Sequence, residues 1–253
     1  MKTITAEQFE RIAPLFPRQR GNVRIDNLTF ISAILYMAEN GCKWRALPAE
    51  FGKWNSIYRR FERWAENGVI QKIFAALQAE QIVSISVEVL ALDSTSCKVH
   101  PDAHGALKKG GKQSIGKSKG GWNTKLHVVS ADDKVVVEMH LSSGECHDAP
   151  DGRLSIETIG EDFPGVPILM DRAYEGDETR KLAASNGHEP IVPPKKNRKE
   201  PWEYDKGKYR RRNVVERCFR RLKEFRRICT RYDKLDFVFL AFAQFAFVAI
   251  WLN

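Results

Sequence analysis

No two of the five cysteines, Cys42, Cys97, Cys146, Cys218 and Cys229, stand in a CxxC spacing, and their number is odd. That excludes a disulfide framework as the main source of stability and favours a reducing compartment. Cys97 near His100 and Cys146 beside His147 lack the repeated spacing of a structural zinc site. The opening MKTITAEQFERIAP lacks the apolar run of a secretory signal. A membrane span of about 20 apolar residues is missing too. The nearest approach, Phe237 to Leu252, is shorter and is interrupted by Gln244. It is expected as a buried terminal helix, or as one buried in a dimer, and no membrane partner is expected. Acidic residues are absent between Asp102 and Asp132, whereas Lys108, Lys109, Lys112, Lys117, Lys119 and Lys125 all fall there.

What is present points to an anionic partner. The 253 residues carry a net charge of +9, which favours nucleic acid. A hydrophobic content of 43% allows a real core in one or two domains. The lysine-rich stretch, HGALKKGGKQSIGKSKGGWNTK, reads as a loop, either a solvated linker or a set of phosphate contacts. Within it, Trp122 suits stacking on an unpaired base or packing beside the next strand.

Helical spacing runs from Ile25 to Glu39 and ends at Gly41. Asn55 is placed as the N-cap of a helix from Ser56 to Glu66, which buries Ile57, Phe61 and Trp64 and turns Arg59, Arg60 and Arg63 outward together. Gly68 closes it, and another helix starts at Val69. This pair resembles a DNA-reading helix-turn-helix, with a plain bundle as the alternative. From Val83 the texture changes to strands. SISVEVLALDSTS reads as a strand ending in Asp93, followed by TKLHVVSA, KVVVEMHL, a helix from about His147 to Ile159, and the strand VPILM ending in Asp171. A further helix, the short strand EPIVPP and a basic connection lead to YRRRNVVERCFRRLKEF. This order describes an α/β layered domain.

That last stretch reads as one amphipathic helix. At about 100° per residue, Tyr209, Arg212, Glu216, Arg220, Lys223 and Arg227 share an arc of roughly 80°. Glu216 lies inside this basic front. It is there for ordinary i,i+4 pairing with Arg212 and Arg220, or to join Asp93 and Asp171 in holding a cation. Clustered carboxylates raise one another's pKa, and a bound metal removes that conflict.

Tyr209, Arg212, Glu216 and Lys223 meet the pattern Y-x2-R-x3-E-x6-K, and LALDSTSCKVH and ILMDRAYEGDETR carry the other two carboxylates. With GGWNTKLH, SSGECHD and GCKWRALPAEFGKWNSIYRRFERW, the chain resembles a DDE transposase of the bacterial insertion sequence 5 family over nearly its whole length. It departs at Glu175, where Asp is more frequent, and at Trp122. The resemblance implies an RNase H-like catalytic core, a mixed sheet flanked by helices, over 83–253 with a basic loop at 101–123. An all-helical, helix-turn-helix-like DNA-binding domain would precede it over 1–82. The catalytic and metal-binding residues would be Asp93, Asp171 and Glu216, holding Mg²⁺, with Mn²⁺ as a substitute, as two ions. The reaction would be hydrolysis at the ends of an insertion sequence and joining of the 3′-OH ends to target DNA. Arg212 and Lys223 would contact DNA near the cut, Tyr209 would pack or contact DNA, and Arg220 and Arg227 extend the basic front. The partners would be double-stranded terminal inverted repeats and target DNA, bound by a homodimer at the bacterial nucleoid in the cytoplasm. A nuclease without strand transfer and an inactive DNA-binding protein are the alternatives.

Overall fold

A computed structural model describes residues 4–19, 23–106 and 111–252, without the side chains of residues 83 and 84. Lys108 and Lys109 lie outside the described residues. The chain forms two compact units, each assembled from separated segments. One comprises Met1–Gln81, Lys98–Gln113 and Leu222–Asn253, and the other Ile82–Cys97 and Ser114–Arg221.

The first unit is helical. Helix α1 (Ala6–Ile12) opens with a capping box between Thr5 and Gln8. Helix α2 (Asn27–Asn40) is capped by the Asp26 carboxylate at one end and by left-handed Gly41 at the other. Helix α3 spans Trp54–Glu66 and α4 spans Val69–Ser84. Asn55 is therefore inside α3 and does not cap it; the cap position falls to Lys53, whose side chain makes no capping bond.

The chain's last helix in this unit, Asp236–Leu252, is buried along nearly its full length. It packs on α2 and α3, with Phe242 and Phe245 against Phe61 at 4.5 and 6.0 Å between ring centroids. A helix so enclosed has no polar face to display, which explains an apolar run interrupted only by the buried Gln244. Among the described residues, no helix is long and apolar enough to cross a membrane.

The second unit holds the sheet. Strand β1 covers Leu90–Val99, β2 Gly116–Ser118, β3 Gly121–Ser130, β4 Val136–Ser143, β5 Pro167–Met170 and β6 Glu189–Ile191. The order is β2-β3-β1-β5-β6, with β4 antiparallel to β3 and with β1, β5 and β6 mutually parallel. Leu90 to Leu92 and all of β5 are buried, as central parallel strands require. Helix α5 (Asp148–Ile159) and helix α6 (Asp177–Ser185) flank the sheet. This is the mixed, helix-flanked RNase H-like arrangement.

Strand β1 starts later and runs further than the sequence suggests. Residues 85–89 form no strand, and Asp93 sits within β1, not at its end. The reason is long-range pairing. After its parallel register with β5, β1 continues until Lys98 and Val99 pair with β7 (Thr230–Arg231). Gly152 lets α5 approach the turn after β5, because a Cβ there would stand 2.4 Å from the Tyr174 ring.

Candidate active site

The register of two parallel strands brings the first two carboxylates together. Leu92 pairs with Met170, so the next residues, Asp93 and Asp171, emerge side by side. The Asp93 carboxylate accepts the Ser94 N–H at 2.8 Å. Asp171 caps the short turn that follows β5, accepting the Ala173 N–H. Burial pushes the Asp93 pKa up and the nearby Asp171 charge adds to this, while the Ser94 N–H and Arg212 oppose it.

The arginine-rich stretch is not one helix. It divides into α7 (Lys206–Arg210), α8 (Asn213–Lys223) and α9 (Arg226–Cys229). Arg212 lies in the joint between α7 and α8. Its Nη1 donates to Asp93 Oδ2 at 2.7 Å and its Nη2 donates to Glu216 Oε1 at 2.6 Å. Its guanidinium carbon stands 6.0 Å from the Tyr209 ring centre. The Arg212 and Asp93 side chains are 16% and 20% exposed, whereas that of Glu216 is 59% exposed. Burial raises the Tyr209 pKa, opposed by Arg212 and reinforced by Asp171, so the phenol belongs to the same cluster.

One guanidinium thus bridges two of the carboxylates, Asp93 and Glu216, and the charge of the third, Asp171, acts on Asp93. The bridge shows that these oxygens already collect a cation, and hard oxygen donors of this kind suit Mg²⁺ or Mn²⁺. Elsewhere among the described residues, the ligand atoms of His127, His140 and Asp151 lie within 4.8 Å of one another.

The other basic residues divide between solvent and the interior. Lys112, Lys117 and Lys119 are exposed, as is Trp122, the cross-strand partner of Lys117 in the β2–β3 hairpin. Arg59, Arg63, Arg220 and Lys223 are exposed as well. Arg60 is turned inward. It donates to the Ile25 carbonyl and to Asn27 Oδ1, and its guanidinium lies 4.3 and 4.4 Å from the ring centres of Phe30 and Trp64. Lys125 is also engaged, donating to Asp148 Oδ1 at 2.9 Å and to the Cys146 carbonyl at 2.6 Å.

Arg227 departs furthest from the sequence reading. It is buried, paired with Asp233, and cannot belong to a DNA-facing front. The break at 224–225 is the cause, since it re-aims every residue beyond it.

Sequence reasoning also missed Ser94 and Asp148, whose side chains share a 2.8 Å hydrogen bond next to Asp93. The block SSGECHD contains Asp148, but no spacing rule ties it to Ser94.

Two family models match the chain. One, described as "Putative transposase of IS4/5 family", covers residues 4–74, and one described as "Transposase DDE domain" covers residues 87–252. An uncharacterized protein, y4sN, of Sinorhizobium fredii is 36% identical over 110 residues, 42% of this chain and 85% of that protein. A protein of Brucella ovis named "Putative transposase for insertion sequence element IS6501" is 27% identical over 136 residues, 51% of this chain and 98% of that one. An uncharacterized 16.2 kDa protein of insertion element IS402 from Burkholderia cepacia is 28% identical over 106 residues, 38% of this chain and 72% of that protein. A solved piggyBac transposase synaptic complex with hairpin DNA aligns at 10% identity and a TM-score of 0.43, covering 78% of this chain and 48% of that one.

Proposed function

Because this chain belongs to the DDE transposases of the IS4/5 family, we propose that it cleaves the ends of an insertion sequence and joins them to target DNA, using Asp93, Asp171 and Glu216. The observation that carries this reading is the Arg212 bridge, which ties Asp93 to Glu216 beside Asp171.

In the first step a water oxygen bonds to phosphorus at the transposon end and the 3′-oxygen leaves, taking up a proton. In the second, that 3′-oxygen bonds to a target phosphorus, its proton departs, and the target 3′-oxygen leaves. Asp93, Asp171 and Glu216 would hold the divalent ions. When bound, these ions lower the cost of activating the attacking oxygen and of charge on the leaving oxygen. Arg212 and Tyr209 position the carboxylates, and Arg212 offsets their mutual repulsion before metal arrives. Exposed Lys112, Lys117, Lys119 and Arg220 neutralise phosphate charge, and Trp122 offers a face for stacking on an unpaired base. Two ends are processed by a homodimer assembled on DNA in the bacterial cytoplasm.

The test is a labelled duplex carrying the element's end, incubated with protein and a target plasmid, with Mg²⁺ or with EDTA. Nicking at the end and covalently joined products that depend on Mg²⁺ support the reading. Nicks without joined products point to a nuclease, and binding without cutting points to a DNA-binding protein.

Two further results are expected. Arg212→Ala destabilises the metal-free protein by about 2 kcal/mol, because Asp93 loses a charged hydrogen bond in a mostly buried setting. The Glu216 arm, largely in solvent, adds little. Mn²⁺ should then raise the melting temperature of Arg212→Ala by more than it raises that of the parent, since the ion replaces the lost positive charge. Equal shifts would refute this role for Arg212. Lys117→Ala, at an exposed hairpin position, should change stability by less than about 0.5 kcal/mol. Titrations at several salt concentrations should show weaker DNA binding and a salt slope smaller by about 1.

A further inference from the structure

A second cluster of ligating side chains lies on the β3–β4 hairpin, independent of the carboxylates assigned to DNA cleavage. His127 and His140 are direct cross-strand partners, so their side chains share one face of the sheet. Helix α5 packs over these two strands and brings Asp151 from its first turn onto the same spot. His127 Nε2 lies 3.7 Å from Asp151 Oδ2, and His140 Nε2 lies 3.6 Å from Asp151 Oδ1. Both separations are too long for hydrogen bonds. From them we infer that His127, His140 and Asp151 form a binding site for one divalent transition-metal ion of the zinc class.

The donor set decides the class of ion. Two imidazole nitrogens and a carboxylate suit Zn²⁺, whereas Mg²⁺ prefers oxygen throughout. Tetrahedral ligands around Zn²⁺ stand roughly 3.3 Å apart at ordinary bond lengths, so the two spacings to Asp151 need only a small contraction, within a set whose ligand atoms all lie within 4.8 Å of one another. The surroundings point the same way. His140 Nδ1 is 3.0 Å from Glu138 Oε1. When Nδ1 donates there, Nε2 is left as the lone-pair nitrogen, and that Nε2 is buried without a hydrogen-bond partner. A carboxylate behind a ligating imidazole is the usual outer partner of a metal-bound histidine. His127 is fully buried, and burial together with His140 lowers its pKa to about 4, so it is neutral and able to ligate near pH 7. Its Nε2 lies 2.7 Å from Ser142 Oγ, a hydroxyl whose proton can rotate away.

One rearrangement is required. The two rings are stacked, 4.8 Å apart and 8° from parallel, so their lone pairs lie in parallel planes. One ring must turn to meet a shared ion. His140, at 17% side-chain exposure, has solvent on one side, while His127 stays in place. The bound ion would fasten α5 to the hairpin.

The test uses the full chain stripped with a chelator, titrated with Co²⁺ by visible absorbance and with Zn²⁺ by calorimetry. One equivalent of each is expected at this site, with a ligand-field band typical of tetrahedral Co²⁺ and a rise in melting temperature with Zn²⁺. Both signals should persist in the Asp93→Asn/Glu216→Gln double variant, which separates this site from the proposed catalytic one. His140→Gln and Asp151→Asn should abolish them. Glu138→Gln, which keeps all three ligands, should weaken binding by about 10–100-fold. If a ligand variant fails to fold, the Glu138→Gln comparison still decides. Absence of the band in the parent, or a band and affinity unchanged by these substitutions, would overturn the assignment.

Discussion

Glu216→Gln protein should bind the end-carrying duplex at least as tightly as the parent and cut it at least about 100-fold more slowly, which is the scale of losing one preorganised charge-stabilising group. Glu216 is 59% exposed in the first turn of α8, so the neutral isostere should leave the fold intact. Arg212 keeps its bond to Asp93, and the basic surface loses one negative charge, which cannot weaken DNA binding by repulsion. On the proposed mechanism, what disappears is one of three anionic ligands for the divalent ion. Cleavage and strand transfer should fall together, because in the proposed mechanism one set of carboxylates serves both displacements. Single-turnover cleavage at saturating protein measures the effect without interference from affinity. A variant that cuts at the parental rate would remove Glu216 from the site.

Arg227→Ala should unfold in urea with a stability loss of about 3–5 kcal/mol, the range for breaking a buried ion pair from one side. Arg227 and Asp233 are 3% and 5% exposed. The guanidinium donates twice to the carboxylate, at 3.0 and 2.8 Å, and once to the Cys42 carbonyl at 2.9 Å. It also lies 4.6 Å from the centre of the Phe242 ring. Truncation leaves Asp233 charged and unpaired among aromatic groups, and that residue dominates the cost. Arg227→Met with Asp233→Leu should recover most of the loss, since it removes both charges and keeps the volume. A stable Arg227→Ala protein whose defect is confined to DNA binding would restore the DNA-facing role that the helical wheel assigns to Arg227.

The wheel fails for a physical reason. It assumes a continuous helix from Tyr209 to Cys229, whereas the chain breaks at 211–212 and again at 224–225. Up to Glu216 and Arg220 the arc still describes neighbours; beyond Phe225 it does not. Lys125 teaches the same lesson. Composition places it in a basic loop, yet it lies on β3 and reaches Asp148 at the start of α5. A count of charges cannot tell a lysine facing solvent from one that has an internal carboxylate.

The sequence by itself determined what depends on local pattern and spacing. The order of the longer strands and helices, the apolar character of the last helix and the family motif around Glu216 are legible along the chain, because periodicity and turn chemistry are properties of neighbours; the short strands β2 and β7 and the breaks in the arginine-rich stretch are not. Only the tertiary structure decided the rest. The register of β1 on β5 sets Asp93 beside Asp171, and the α7–α8 joint aims Arg212 at two carboxylates. The β3–β4 pairing stacks His127 on His140, and the core holds Arg227 against Asp233. Each of these depends on where a distant segment lands, and the packing of side chains far apart in sequence settles that.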